Sequence, residues 1–127
     1  MFQGIDHYVI FVTDLAASRA WYERLGLLYA HGGEHGHFFS LPAGGLLMLH
    51  PAKDGPAGSI PQLYLSVGDV HAALTQHRQA GMEAFSENGS GALPAQTPWG
   101  STEYNLRDPD GHVWGIVQAR GGATPSE

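Results

Sequence analysis

Two short stretches of the chain alternate apolar and polar residues, and each is followed by apolar positions at helical spacing. The first stretch reads Ile5-Asp6-His7-Tyr8-Val9-Ile10-Phe11-Val12, and the second Pro61-Gln62-Leu63-Tyr64-Leu65-Ser66-Val67. Alternation in the second, and a short apolar run behind Asp6-His7 in the first, predict strands. Behind the first, Leu15, Ser18, Tyr22 and Leu25 share a helical face with Trp21 beside it, and behind the second, Val70, Ala73, Leu74 and His77 do the same. Asp14 and Asp69 stand where a carboxylate can accept from the free amides of a first helical turn. Gly26 and Gly81 stand where a left-handed residue ends a helix. Each Asp and each Gly is 55 residues from its counterpart. Such a fixed offset marks an internal repeat, which sets the architecture before any motif does.

Further short strands follow each helix. In the first half they are expected near Leu27–Ala30, His37–Leu41 and Leu46–His50, the last two joined by a turn over Pro42–Gly45. In the second half they are expected near Met82–Phe85, Ser101–Arg107 and His112–Gln118, with a loop over Ser86–Pro98. Asp108-Pro109-Asp110-Gly111 is a strong hairpin signal, since Asp-Gly tolerates the positive φ of tight turns. Each half therefore reads strand-helix-strand-strand-strand. The expected organisation is one domain over residues 1–119, with modules at about 1–50 and 61–118, a Pro/Gly-rich linker over 51–60 and a flexible tail over 120–127.

Composition narrows the function. The chain has 127 residues, enough for one real core. Charged residues are 14%, against about 25% in typical soluble domains, which suggests that a partner covers part of the surface. The net charge of −6 argues against nucleic acid, whose phosphates need a basic face. No stretch approaches a membrane span, and no basic flank precedes an apolar run at the N-terminus. The absence of cysteine removes thiolate chemistry and fits the cytoplasm. No phosphate-cradling glycine loop, nucleophile-elbow serine or carboxylate pair is present.

The duplicated βαβββ pattern resembles the vicinal oxygen chelate superfamily, which includes glyoxalase I, extradiol dioxygenases, fosfomycin-resistance enzymes and bleomycin-resistance binding proteins. The resemblance rests on His7-Tyr8-Val9-Ile10-Phe11-Val12-Thr13-Asp14-Leu15, on Trp21-Tyr22-Glu23-Arg24-Leu25-Gly26-Leu27, and on Pro98-Trp99-Gly100 with Asp108-Pro109-Asp110-Gly111-His112-Val113-Trp114. It covers nearly the whole chain except the tail. It implies an α+β fold of two tandem βαβββ modules whose mixed, curved sheets form a cleft. It does not fix the reaction, because function lives in the site and not the scaffold.

Enzymes of this kind hold a divalent metal with side chains from the first and last strands of each half. Carried onto this chain, those positions are His7, Met48, Gln62 and Gly115, the last where metal-binding members carry Glu. A catalytic divalent ion wants about three imidazole or carboxylate ligands, and this set holds one. No cofactor is therefore expected. The alternative is one divalent ion on His7, His50 and Glu103, in a lyase or isomerase, or a dioxygenase, with displaced ligands. The His31…His35-Gly36-His37 tract reads as a Gly-rich hairpin rather than a metal site.

Strand parity sends Tyr8, Ile10 and Val12 under the helices and leaves His7, Val9 and Phe11 in the cleft. It likewise leaves Gln62, Tyr64 and Ser66 facing the cleft and packs Leu63, Leu65 and Val67 away from it. Phe11, Phe39 and Tyr64 are expected as apolar or aromatic walls, with Met48 among them and His7, His50 and Gln62 as polar anchors. Glu103 and Tyr104 alternate, so one of them faces the ligand. Trp99 is expected as a stacking plate at the mouth, whereas Trp114, Trp21 and Tyr22 are expected in packing. The expected function is capture of a planar aromatic or drug-like molecule by a homodimeric binding protein without the family metal.

Overall fold

The computed structural model describes residues 1–52, 62–87 and 91–118. The linker beyond Ala52, part of the loop before Pro98 and the expected tail lie outside the described residues. Two compact units are present, one built on the N-terminal half together with Asp108–Asp110, the other on the C-terminal half. Each carries one helix and one mixed four-stranded sheet that does not close into a barrel.

In the first unit the sheet order is β1-β4-β3-β2, with β1 His7–Val12, β2 Leu28–Gly33, β3 Gly36–Ser40 and β4 Leu46–Pro51. Strand β1 pairs parallel with β4, and the other pairs are antiparallel. The second unit repeats this as β5-β8-β7-β6, with β5 Leu63–Ser66, β6 Ala95–Gln96, β7 Thr102–Arg107 and β8 Val113–Gln118. The helices are α1, Leu15–Leu25, and α2, Val70–Gln79.

Both helices begin and end as the repeat demands. Asp14 accepts from the Ala17 amide at 3.0 Å, and Asp69 from the His71 and Ala72 amides at 3.1 Å each. At the far ends the Gly26 amide donates to Glu23 O and the Leu27 amide to Tyr22 O. The Gly81 amide donates to Arg78 O and the Met82 amide to His77 O, the same pattern 55 residues on. Gly26 and Gly81 both take positive φ, +111° and +81°, which a side chain would resist.

The expected strand at Met82–Phe85 does not form. Only Phe85 pairs, as a two-bond bridge with Asn105. The chain then leaves the sheet and returns as β6, inside the segment expected to be loop, to pair with Thr102 and Glu103. The outer edge of β7 is thus shared between two short pieces. In the first unit a register shift lies between Tyr29 and His31 of the equivalent strand. Positions 84 and 86 are their counterparts, so the second unit carries its excursion where the first carries a bulge.

The core of the first unit joins α1 to the sheet through Tyr22, Phe39, Leu47 and Leu49, all at 0% exposure. Tyr22 donates from its hydroxyl to Asp108 Oδ2 at 2.7 Å, and Asp110 accepts from the Thr13 amide and hydroxyl. Those bonds explain why the Asp-Pro-Asp turn groups with the first unit. In the second unit Leu74 of α2 is buried, as are Tyr104, Leu106, Trp114 and Ile116 of the sheet. No helix among the described residues is long and apolar enough to cross a membrane.

One buried histidine should make the first unit sensitive to acid. His37 lies in the core side of β3 and shares a 2.9 Å hydrogen bond with the Tyr29 hydroxyl. Burial, and then the nearby Arg19 charge, hold its pKa below the ordinary 6.5, with Glu23 pulling weakly the other way. A depressed folded-state pKa gives stability that is fully present above the unfolded value and is lost as pH falls. Urea midpoints should therefore hold near neutrality and decline on acidification below pH 6.5. His37→Gln should show a shallower decline, and an equally steep one would contradict the assignment.

Candidate functional site

Parity along the strands divides each sheet into a helix-covered face and an open face. On the first sheet Ile10, Val12, Phe39, Leu47 and Leu49 point under α1, each at 1% exposure or less. His7, Val9 and Phe11 of β1 are exposed, and Met48 and His50 of β4 are half-buried. The register sets Val9 and Phe38 on either side of Met48, and Phe11 beside His50. The Phe11 ring meets His50 edge-on at 5.3 Å between centroids, and His7 meets Phe38 at 6.2 Å. His31 stacks on Phe38 at 4.7 Å.

This face corrects one expected wall. Phe39 is fully buried, with Tyr22 and Tyr29 against its ring. Phe38 takes the place assigned to it. The hairpin decides between the two: the Leu41 amide donates to Gly45 O, Ser40 then pairs with Leu46, and Phe39 falls opposite the buried Leu47.

His7 and His50 of the open face are each oriented by a local acceptor. His7 Nδ1 lies 2.9 Å from Asp6 Oδ2, and His50 Nδ1 lies 2.9 Å from the Pro51 carbonyl. Each bond needs a proton on Nδ1, which leaves Nε2 as the free ring nitrogen. His7 pairs with Leu46, whereas His50 pairs with Phe11. The two are thus four residues apart along the strands, about 13 Å at 3.3 Å per residue.

On the second sheet Leu106, Trp114 and Ile116 point to the α2 side, and so does Tyr104. Tyr104 is 0% exposed and shares a 2.6 Å hydrogen bond with His77 of α2, so it belongs to the core and not to a ligand surface. Burial pushes its pKa well above the ordinary tyrosine value. The opposite face carries Gln62, Tyr64, Glu103, Asn105 and Gly115. Gln62 is exposed and donates to Glu87 Oε1 at 2.7 Å. Glu103 is buried and accepts from the Ser101 hydroxyl at 3.0 Å. Tyr64 is 43% exposed, and its ring lies where a Cβ on Gly115 would be. Trp99 is 62% exposed in the turn after Thr97.

A divalent metal of the family kind does not fit these residues. Met48 and Gln62 offer no strong ligand, the amide of Gln62 is engaged by Glu87, and the ring of Tyr64 fills the start of any side chain at position 115. The displaced set fails on spacing, because His7 and His50 stand at opposite ends of the β1–β4 pair. Among the described residues no group of three or more His, Cys, Asp or Glu side chains could hold a metal ion. His31 and His37 of the histidine tract fall on opposite faces of their hairpin, one stacked on Phe38 and the other buried beside Tyr29.

With this geometry in view, comparison with known proteins places the fold. Residues 4–116 match the Glyoxalase/Bleomycin resistance protein/Dioxygenase superfamily, and the chain belongs to that family. It is similar to a glyoxalase/bleomycin resistance protein/dioxygenase from Nocardioides, at 20% identity and a TM-score of 0.76 over 100% of this chain and 90% of that one. It is also similar to TnmS3, an antibiotic binding protein from Streptomyces sp. CB03234, at 26% identity and a TM-score of 0.68 over 93% and 97% of the two chains. A lactoylglutathione lyase from Agrobacterium tumefaciens aligns at 19% identity and a TM-score of 0.65, over 91% and 93%. The comparison with curated proteins finds no match.

Two residues of the open faces were not among those expected from sequence, Phe38 and Asn105. Phe38 could have been found from the short turn, which fixes the register once Leu47 is read as core. Asn105 shares parity with Glu103, two residues earlier on β7, and that is its only sequence signal.

Proposed function

We propose that this protein captures a flat, neutral or weakly cationic aromatic molecule on the open face of its first sheet and works by stoichiometric binding in the cytoplasm, not by metal-dependent turnover. The observation that carries the reading is the apolar and aromatic character of the open face of the first sheet. Val9 and Phe11 are exposed there at 38% and 46%, with Phe38 and Met48 half-buried between the rings of His7 and His50. Contiguous apolar surface of this kind marks a binding site far more often than single exposed residues do. A mostly apolar surface with few fixed polar groups suits a flat neutral molecule, and the net charge of −6 disfavours anions at long range. The likeness to an antibiotic binding protein supports capture of a drug-like molecule.

The same reading includes a homodimer. Leu28 on the edge strand β2 is 73% exposed, and Phe2 and Ile5 before β1 are 91% and 61% exposed. Sedimentation equilibrium at micromolar concentration reads this directly, and a monomer alone would exclude it.

The face is tested by Phe11→Ser and Phe38→Ser in the intact protein. Loss of an aromatic contact of about 0.5–1.5 kcal/mol beyond the area it buries should weaken binding of a flat aromatic probe such as acridine by tenfold or more. Thermal unfolding should move little for the exposed Phe11. Unchanged affinity in both variants would place the site elsewhere.

A further inference from the structure

The apolar row on the open face of the first sheet is bracketed by two imidazoles. The row is Val9, Met48 and Phe38, side by side on β1, β4 and β3. His7 stands two residues before Val9, and His50 two residues after Met48. Strands β1 and β4 run parallel, so one histidine precedes the row and the other follows it on the same face. Each ring rests edge-on against a phenyl group, His7 against Phe38 and His50 against Phe11. His31 continues the row on β2, stacked on Phe38, and no hydrogen bond among the described residues fixes its tautomer.

Local hydrogen bonds give His7 and His50 the same polarity. The Pro51 carbonyl and the Asp6 carboxylate can only accept, so Nδ1 carries the proton in both rings. In the neutral imidazole Nε2 is then a lone-pair acceptor and cannot donate. Among the described residues neither Nε2 has a hydrogen-bond partner. The Asp6 carboxylate behind His7 polarises that ring and makes its Nε2 a better acceptor. An apolar strip with an acceptor at each end is matched by a flat molecule with a donor at each end.

We propose that His7 and His50 are the specificity-determining residues of this face, and that they select aromatic molecules carrying an O–H or N–H donor at both ends. The proposal rests on the flat-ligand reading above and adds the chemical groups by which the ligand is chosen. The two histidines are about 13 Å apart along the strands. Two hydrogen bonds of about 2.8 Å leave roughly 7 Å between the donors, about the span of two fused rings with a hydroxyl on each.

The test compares 2,6-dihydroxynaphthalene with 2,6-dimethoxynaphthalene, which keeps the rings and the oxygens and loses both donors. Equilibrium dialysis against the intact protein at about pH 8, where imidazole is neutral, gives the ratio of the two affinities. That ratio should favour the diol in the wild type and fall roughly three- to tenfold in His7→Phe and in His50→Phe, the usual worth of one net hydrogen bond each. Phenylalanine keeps a ring in place and removes only the acceptor. A second measurement needs no variant. In the labelled wild type the ring nitrogens of His7 and His50 should report the Nδ1–H tautomer, and their Nε2 signals should move upfield, as an accepting nitrogen does, with the diol alone. A ratio unchanged in either variant, an Nε2–H tautomer at either histidine, or Nε2 signals that stay fixed at saturation with the diol would each overturn the proposal. Binding of both compounds with no contribution from the histidines removes this inference alone. Failure of both compounds to bind removes the flat-ligand reading as well.

Discussion

Trp114→Ala should lower stability by about 3–5 kcal/mol, the range for truncating a large buried aromatic. Trp114 is 1% exposed on β8, with Leu106 of β7 and Leu63 of β5 opposite it in the register. Removing the indole leaves a cavity that two flanking strands, each held by its own ladder, can close only in part. Total stability of such a domain is about 5–15 kcal/mol, so the variant would lose a large share of it. Trp99→Ala provides the contrast. That ring is 62% exposed in a turn, and its loss should change stability by no more than about 0.5 kcal/mol. Urea denaturation of both variants gives the answer. A Trp114 loss no larger than that of Trp99 would contradict the packing described here.

The second large effect is a coupling. Gly115→Ala puts a methyl group into the Tyr64 ring and should cost about 1–3 kcal/mol, the usual range for overpacking. In a Tyr64→Ala background those ring atoms are gone, and the same change should cost less. The interaction measured by this double-mutant cycle should thus lie within the 0.5–3 kcal/mol seen for contacting residues. A cost of Gly115→Ala that is equal in both backgrounds would show that the ring does not occupy that space in solution.

The repeat was legible because its signals are local. Asp14 and Asp69 cap by reaching their own first turn, and Gly26 and Gly81 end their helices by backbone conformation alone. Parity then sorted Phe11 from Ile10 and Val12 without knowledge of any partner strand, but Tyr8, which the same parity sends under the helix, is 38% exposed, as much as Val9. The choice between Phe38 and Phe39 was different. Two adjacent phenylalanines satisfy either parity, and only the register with β4 separates them. The second unit hid more. Met82–Phe85 looks like a strand by composition, yet a strand exists only where a neighbouring edge is free to pair. Ala95–Gln96 takes the Thr102–Glu103 end of that edge and Phe85 bridges Asn105, while Met82–Ala84 form no ladder. Likewise, a glycine at 115 reads as a missing ligand. That a tyrosine from the neighbouring strand fills the gap depends on a parallel pairing between residues 51 positions apart.

The central claim is capture of a flat aromatic molecule without a metal. Isothermal titration of acridine into the purified protein, first with a chelator and then with added nickel, zinc or iron(II), tests it most directly. The account predicts saturable binding at a fixed ratio of ligand to chain, with the same affinity under all conditions and the ligand recovered unchanged. Binding that appears only with a metal, or conversion of the compound when one is supplied, would contradict it.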